Sequence, residues 1–275
     1  MATPYDTMID INGVSYGVAA IDVGNSRVKI HHDDVFLSFP YDKEWKKNVQ
    51  HHFRDHVSKR YVIGLSSVNH KQTTAIVKVL QRITSHLVVN VHTLLMRNNA
   101  LLTLEHIENA GIDRMLGAIG AMSEVEPPLI TVDCGTAITV NAVSRNRQFL
   151  GGVIFAGLNT QLFGLAKQTA AIQEMKFVPP TTAIGTNTLQ CLMSGVTYSA
   201  TGGILQAVAA FANELNVNKP TVVVTGGEAE TIVPRLVESG VSVVQHPHIV
   251  TNGIMELIVR AQVHDLQDSV IKKIS

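Results

Sequence analysis

Two stretches of this chain, far apart in the sequence, repeat one order: an apolar strand, an acidic glycine turn, then more β-prone segments. The first is Val18-Ala19-Ala20-Ile21 running into Asp22-Val23-Gly24-Asn25-Ser26, and the second is Leu129-Ile130-Thr131-Val132 running into Asp133-Cys134-Gly135-Thr136. Residues 27–31 and 35–39 follow the first turn, 138–143 and 149–155 the second, so the chain is predicted to make a three-stranded meander twice. The recurrence is an internal structural repeat, carried by order and turn chemistry rather than by residue identity.

Strand and helix alternate after each meander. In the first half, residues 42–58 carry Trp45, Val49, Phe53 and Val57 at helical spacing. A strand at 61–65, a helix at 71–85 and a strand at 87–91 follow. Residues 92–109 show no assignable pattern, with a loop at Asn98-Asn99, and 111–125 reads as a helix with Asp113 in its first turn, stopped by Glu126-Pro127-Pro128. In the second half the expected order is helix 158–173, loop 178–185, and a long apolar helical region 187–215, broken or bent at Gly202-Gly203. Then come strand 221–224, the turn Thr225-Gly226-Gly227-Glu228-Ala229, helix 231–239, strand 241–245, helix 252–263 and a polar, frayed tail. This alternation defines an α/β protein with helices packed on mixed sheets. A chain of 275 residues divides into two halves, each large enough to bury a core. The boundaries read as an extension 1–16, a first domain 17–112, a second domain 113–264 and a tail 265–275.

Composition narrows the function. Lysine plus arginine equals aspartate plus glutamate at 22 each, and no basic run is interleaved with aromatics, which argues against a nucleic-acid partner. Residues 1–16 lack the pattern of a secretion signal, and no apolar run reaches the roughly 20 residues that span a bilayer, so no membrane role is expected. The two cysteines, Cys134 and Cys191, form no C-x-x-C motif, which fits a reducing cytoplasm. The 12 histidines show no metal-ligand spacing.

The turns carry the candidate chemistry. Glycine lets backbone amides approach a phosphate, and an aspartate can hold a hydrated cation. Asp22, Asn25 and Ser26 with Lys29 read either as an Asx-type hairpin beside a surface lysine or as a phosphate site, with Asp22 near Mg²⁺ and Lys29 neutralising charge. Asp133, Gly135 and Thr136 form the second turn, where a carboxylate ending an apolar strand is costly to bury without a cation or donors. Gly226 and Gly227 open a helix and can receive a phosphate or a nucleoside face, or can be an ordinary strand-to-helix turn. Asp113 and Arg114 read either as a helix-start carboxylate with a surface arginine, or as a base for a substrate hydroxyl beside an anchor for a substrate carboxylate.

Taken together, I-D-V-G-N-S-R-V-K, G-I-D-R, V-D-C-G-T-A-I-T-V, F-L-G-G-V-I, G-T-N-T and T-G-G-E-A occur in the order expected of type III pantothenate kinases. The chain resembles that bacterial family of the actin, sugar kinase and Hsp70 superfamily over roughly residues 18–263. The resemblance implies two ribonuclease-H-like domains of the actin-like ATPase type, with ATP between them. It implies transfer of the γ-phosphoryl group to the primary hydroxyl of pantothenate, the first step of coenzyme A synthesis. By position, Asp22, Val23, Gly24, Asn25, Ser26, Arg27, Val28 and Lys29 are similar to the family's first phosphate motif, Asp22 holding Mg²⁺ through water, and Thr136 to a second ATP contact. Asp133 resembles the ligand of a monovalent cation, K⁺ or NH4⁺. Asp113 resembles the catalytic base, and Gly111, Ile112, Asp113 and Arg114 the pantothenate-binding segment. Thr188 resembles a substrate contact from a neighbouring subunit, which implies a homodimer. Leu104, Ile107 and Ala156 depart from the tyrosine and two prolines usual in the family. A kinase or phosphohydrolase of the same superfamily with another acceptor, and a non-catalytic regulator, are the rival readings. The Asp113-Arg114 pair favours a carboxylate-bearing acceptor, and three aspartates near phosphate argue against a retired site.

Overall fold

The computed structural model describes residues 7–55, 59–83, 85–98, 100–170 and 172–271. Val57 of the expected helical stripe, residues 1–6 of the extension and residues 272–275 of the tail lie outside them. The chain divides into two compact units: the described residues of Met1–Glu124 with those of His248–Ser275, and those of Val125–Pro247.

In the first unit, β1 (Ile9–Ile11) and β2 (Val14–Val23) form a hairpin, followed by β3 (Arg27–His32), β4 (Val35–Pro40), α1 (Trp45–Asp55), β5 (Tyr61–Ser67), α2 (His70–Leu80), β6 (Leu87–Asn90), α3 (Val91–Arg97) and α4 (Ile112–Met122). The sheet order is β4-β3-β2-β5-β6, antiparallel on the meander side of β2 and parallel on the other. As the central strand, β2 is buried from Gly17 to Val23, which is why its sequence is a continuous apolar run rather than an alternation. The expected extension is therefore partly strand: Asn12 and Gly13, at φ 55° and 77°, make the two-residue turn that pairs β1 with β2.

The second unit holds β7 (Leu129–Cys134), β8 (Ala137–Val143), β9 (Phe149–Ala156), α5 (Leu158–Gln168), α6 (Thr188–Glu214), β10 (Thr221–Thr225), α7 (Ala229–Glu238) and β11 (Ser242–Gln245). Its sheet order, β9-β8-β7-β10-β11, repeats that of the first unit strand for strand. In each unit the first meander strand lies at the centre and ends in the acidic glycine turn. Its core gathers Ile130, Val132, Ile138 and Val140 from the sheet, Leu158 and Leu162 from α5, and Met193, Val196, Ala200 and Ile204 from α6.

Helix α6 runs through Gly202-Gly203 without interruption, contrary to the expected break. Two helical glycines cost about 1 kcal/mol each relative to alanine. The apolar face that α6 buries outweighs that penalty, and Gly203 puts the Phe155 ring 3.3 Å from where its Cβ would be.

The chain then returns to the first unit as α8 (Ile249–Arg260) and α9 (Val263–Asp268). The expected boundary after residue 112 is thus displaced, because α4 and α8 cross at glycines. A Cβ at Gly120 would sit 1.9 Å from the Ile249 carbonyl oxygen, and one at Gly253 1.9 Å from that of Leu116. Gly64 of β5 likewise leaves room for Ile254 and Ile258 of α8. Nor is the described tail frayed: the Ile271 amide donates to the Val88 carbonyl at 2.9 Å, the Asn90 amide to the Ser269 carbonyl at 2.8 Å, and Arg97 to Asp268 at 2.7 Å.

Candidate active site

In the first unit, Asp22 is the penultimate residue of β2, in register with Lys29 on β3 and Ser66 on β5. Asp22 is 4% exposed, and Lys29 Nζ lies 3.7 Å from its Oδ2, an ion pair across the hairpin that the sequence did not suggest. The Gly24 amide donates to the Arg27 carbonyl at 3.1 Å, closing the turn, with Asn25, Ser26 and Arg27 exposed at its tip. Val23 and Val28 bury their side chains completely, leaving only their backbone to a ligand. Arg27 donates to Ser38 Oγ at 3.2 Å. Tyr41, which sequence reasoning missed, donates its hydroxyl to the Gly24 carbonyl at 2.8 Å. Burial, then the nearby Asp22 charge, push its phenol up to about 12, so it stays a donor at neutral pH.

Gly111 is the N-cap of α4, and a Cβ there would lie 2.6 Å from Asp113 Oδ1. The same oxygen accepts the Arg114 amide at 2.9 Å. The carboxylate is thereby turned back over the helix start, half-exposed, with Arg114 beside it. Burial pulls the Arg114 guanidinium down and Asp113 pushes it back, while an arginine keeps its charge in either case. The α4–α8 crossing fixes the helix that presents this pair. Leu104 and Ile107, ahead of it, close a turn through the Ile107 amide and the Leu104 carbonyl.

In the second unit, the carboxyl ends of β7 and β10 bring Asp133, Gly226 and Gly227 to one sheet edge. Asp133 is half-buried in register with Thr139 and Thr225, and a Cβ at Gly135 would approach its Oδ1 to 3.7 Å. Gly226 has φ +99°, and a Cβ there would strike the Cys134 carbonyl oxygen at 2.4 Å, so only glycine fits. Gly227 faces open space. Thr136 is exposed, and its carbonyl accepts the Gly157 amide at 3.0 Å and Thr160 Oγ1 at 2.6 Å. Burial raises the Cys134 thiol, and the charges of Asp133 and Glu228 raise it further, keeping it an inert thiol.

Thr188 opens α6 and is exposed. The G-T-N-T segment builds that helix start itself: Asn187 accepts the Gln190 amide at 3.0 Å, and Gln190 accepts the Thr186 amide and hydroxyl, each at 2.9 Å. Glu228, Gly157 and Tyr41 are the structural partners that the sequence reading left without a role. Glu228 stands inside T-G-G-E-A, so its place after the glycine turn was the available signal. Among the described residues, no group of three or more His, Cys, Asp or Glu could hold a metal ion.

Two mixed sheets of one strand order, flanked by helices, with an acidic glycine turn ending each central strand, define the actin-like ATPase fold. The archaeal actin homologue Ta0583 superposes with a TM-score of 0.50 at 11% identity, covering 89% of this chain and all of that one. A solved Campylobacter jejuni protein described as a Baf family member superposes at 0.57 with 18% identity, over 87% and 96% of the two chains. These likenesses concern the fold alone. Residues 18–210 match the family model of the type III pantothenate kinases, and the chain belongs to that family. The type III pantothenate kinase of Sulfurihydrogenibium sp. is 30% identical over 174 residues, 62% of this chain and 67% of that protein. Matches to the family's proteins from Rhodococcus erythropolis and Akkermansia muciniphila span 52% and 60% of their lengths.

Proposed function

We propose that this chain transfers the γ-phosphoryl group of ATP to the primary hydroxyl of pantothenate, forming 4'-phosphopantothenate. The observation that carries the reading is that Asp22, Asp113, Asp133 and Thr136 all fall inside residues 18–210, the segment matching the family. Asp22 and Asp133 stand next to last in β2 and β7, Asp113 in the first turn of α4, and Thr136 in the turn between β7 and β8. Phosphoryl transfer asks a protein chiefly to position reactants and neutralise charge. Asp22 through Lys29 and Thr136 with Gly226 and Gly227 are assigned to the nucleotide. Gly111 through Arg114 and Thr188 are assigned to the acceptor.

Asp113 accepts the proton of the acceptor hydroxyl as that oxygen bonds to phosphorus and the bond to the departing ADP breaks. Arg114 holds the acceptor carboxylate, a role suited to its fixed charge. Asp22, beside Lys29, fits a Mg²⁺ ion held through water. Asp133, half-buried next to the end of β7, would hold K⁺ or NH4⁺. Such cations, when bound, neutralise phosphate charge.

A homodimer is part of the proposal. The outward side of α6 exposes Leu189 and Tyr198 at 55% and 56% among small residues, and β9 exposes Leu150, Val153 and Ile154. A cytoplasmic setting is supported by two free cysteines, Cys134 and Cys191. No helix among the described residues is long and apolar enough to cross a membrane.

The test is ATP-dependent phosphorylation of pantothenate with and without K⁺, run beside a panel of sugar acceptors. Product with pantothenate, faster with K⁺, is expected. Turnover of a sugar but not of pantothenate would refute the acceptor.

A further inference from the structure

We propose that Glu228 is the positioning residue of the nucleotide edge: it locks the turns at 134–136 and 225–227 to the start of α5 without itself touching nucleotide. The inference rests on the assignment of Thr136, Gly226 and Gly227 to ATP.

It begins with an impossibility at Gly157. This residue is the N-cap of α5, where serine, aspartate or asparagine would ordinarily satisfy the first helical amides. A Cβ at 157 would lie 2.0 Å from the Gly135 carbonyl oxygen and 3.0 Å from that of Thr136, so the cap cannot carry a side chain. Glu228 supplies the acceptors from another element. Its Oε2 accepts the Leu158 amide at 2.8 Å, and its Oε1 accepts the Asn159 amide at 3.3 Å and Asn159 Nδ2 at 3.0 Å. Its own amide donates to the Cys134 carbonyl at 2.9 Å. One residue thus joins the end of β7 through its backbone to the start of α5 through its side chain. From α5, Gly157 and Thr160 reach back to the Thr136 carbonyl.

The arrangement also decides where an anion goes. A helix N-terminus is a ready anion site, but that of α5 is filled by the Glu228 carboxylate. In the glycine turn Gly226 packs against the Cys134 backbone, whereas a Cβ at Gly227 would meet nothing within 4 Å. A phosphate is therefore kept from the start of α5, and the open side of Gly227 is left to it.

The experiment measures ATP affinity by displacement of a fluorescent ATP analogue, which requires no turnover, together with KM for each substrate. Glu228→Ala should weaken ATP binding about tenfold, equivalent to about 1.4 kcal/mol, with KM for pantothenate unchanged. Glu228→Gln, whose amide oxygen still accepts from Leu158, should lose only about threefold. A folded Glu228→Ala protein with wild-type ATP affinity, or equal rises in KM for both substrates, would overturn the proposal. If the alanine variant does not fold, Glu228→Gln decides: a lowered melting temperature with unchanged ATP affinity assigns Glu228 to stability alone and overturns it equally. A wild-type chain that binds ATP yet leaves pantothenate unphosphorylated counts against the acceptor, and the affinity comparison stands independently.

Discussion

Asp113 is held by its own helix, with Oδ1 on the Arg114 amide and the Gly111 α-carbon beneath it. Asparagine keeps that shape and the hydrogen bond but cannot take a proton. Asp113→Asn should fold, bind ATP normally and phosphorylate pantothenate roughly 10²- to 10⁴-fold more slowly in single-turnover assays. Asp33 belongs to stability rather than chemistry. Burial would raise its carboxyl, but Lys59, Tyr61 and His32 outweigh burial and hold it at about 2, with the Tyr61 hydroxyl at 2.6 Å and His32 Nδ1 at 3.1 Å. A carboxyl depressed in the folded state contributes stability above its ordinary value near 3.8, and that contribution is lost as pH falls through 2. With the side chain 33% exposed, screening reduces the contribution to about 1 kcal/mol. Asp33→Asn should therefore lower stability in urea melts at neutral pH, and its deficit should shrink between pH 4 and 2.

At the scale of elements, the α4–α8 crossing is the most sensitive joint. Gly120→Ala would drive a methyl into the Ile249 carbonyl, and overpacking of this kind costs about 1–3 kcal/mol. A denaturant midpoint lowered accordingly is the expected result, and an unchanged one would mean that α4 and α8 do not meet as described. That joint also marks the limit of what the sequence disclosed. Both meanders and their turns were legible, because alternation, apolar runs and acid-glycine punctuation are local properties. Helix α3 was not, because Asn90 ends β6 and caps α3 at once, accepting the Thr93 amide at 3.1 Å, so no turn residue separates strand from helix. The unbroken α6, the assignment of α4 and α8 to the first unit, and the docked tail depend on partners distant in sequence. So does Glu228, whose role follows from the missing side chain at Gly157, far upstream.

For the whole molecule, the repeated strand order sets two similar turns in different surroundings. Each central strand delivers an aspartate to its sheet edge, but Asp22 meets a lysine in register where Asp133 meets threonines on both sides. If Thr188 acts on the acceptor of a neighbouring copy, mixing two impaired variants, Asp113→Asn and Thr188→Ala, should restore activity. A hybrid dimer then contains one site with both residues intact. No recovery after subunit exchange, checked by mass spectrometry of the hybrids, would place Thr188 in its own subunit's site.

The second unit is one continuous stretch, whereas the first is closed only by residues from the far end of the chain. On a ribosome, β2, β5 and α4 therefore emerge long before α8, which covers Gly64 and lodges against Gly120. The later-made unit can complete itself first, and the earlier-made one, carrying Asp22 and Asp113, must wait with apolar surface uncovered. Closure of the first unit thus depends on residues made after the whole of the second.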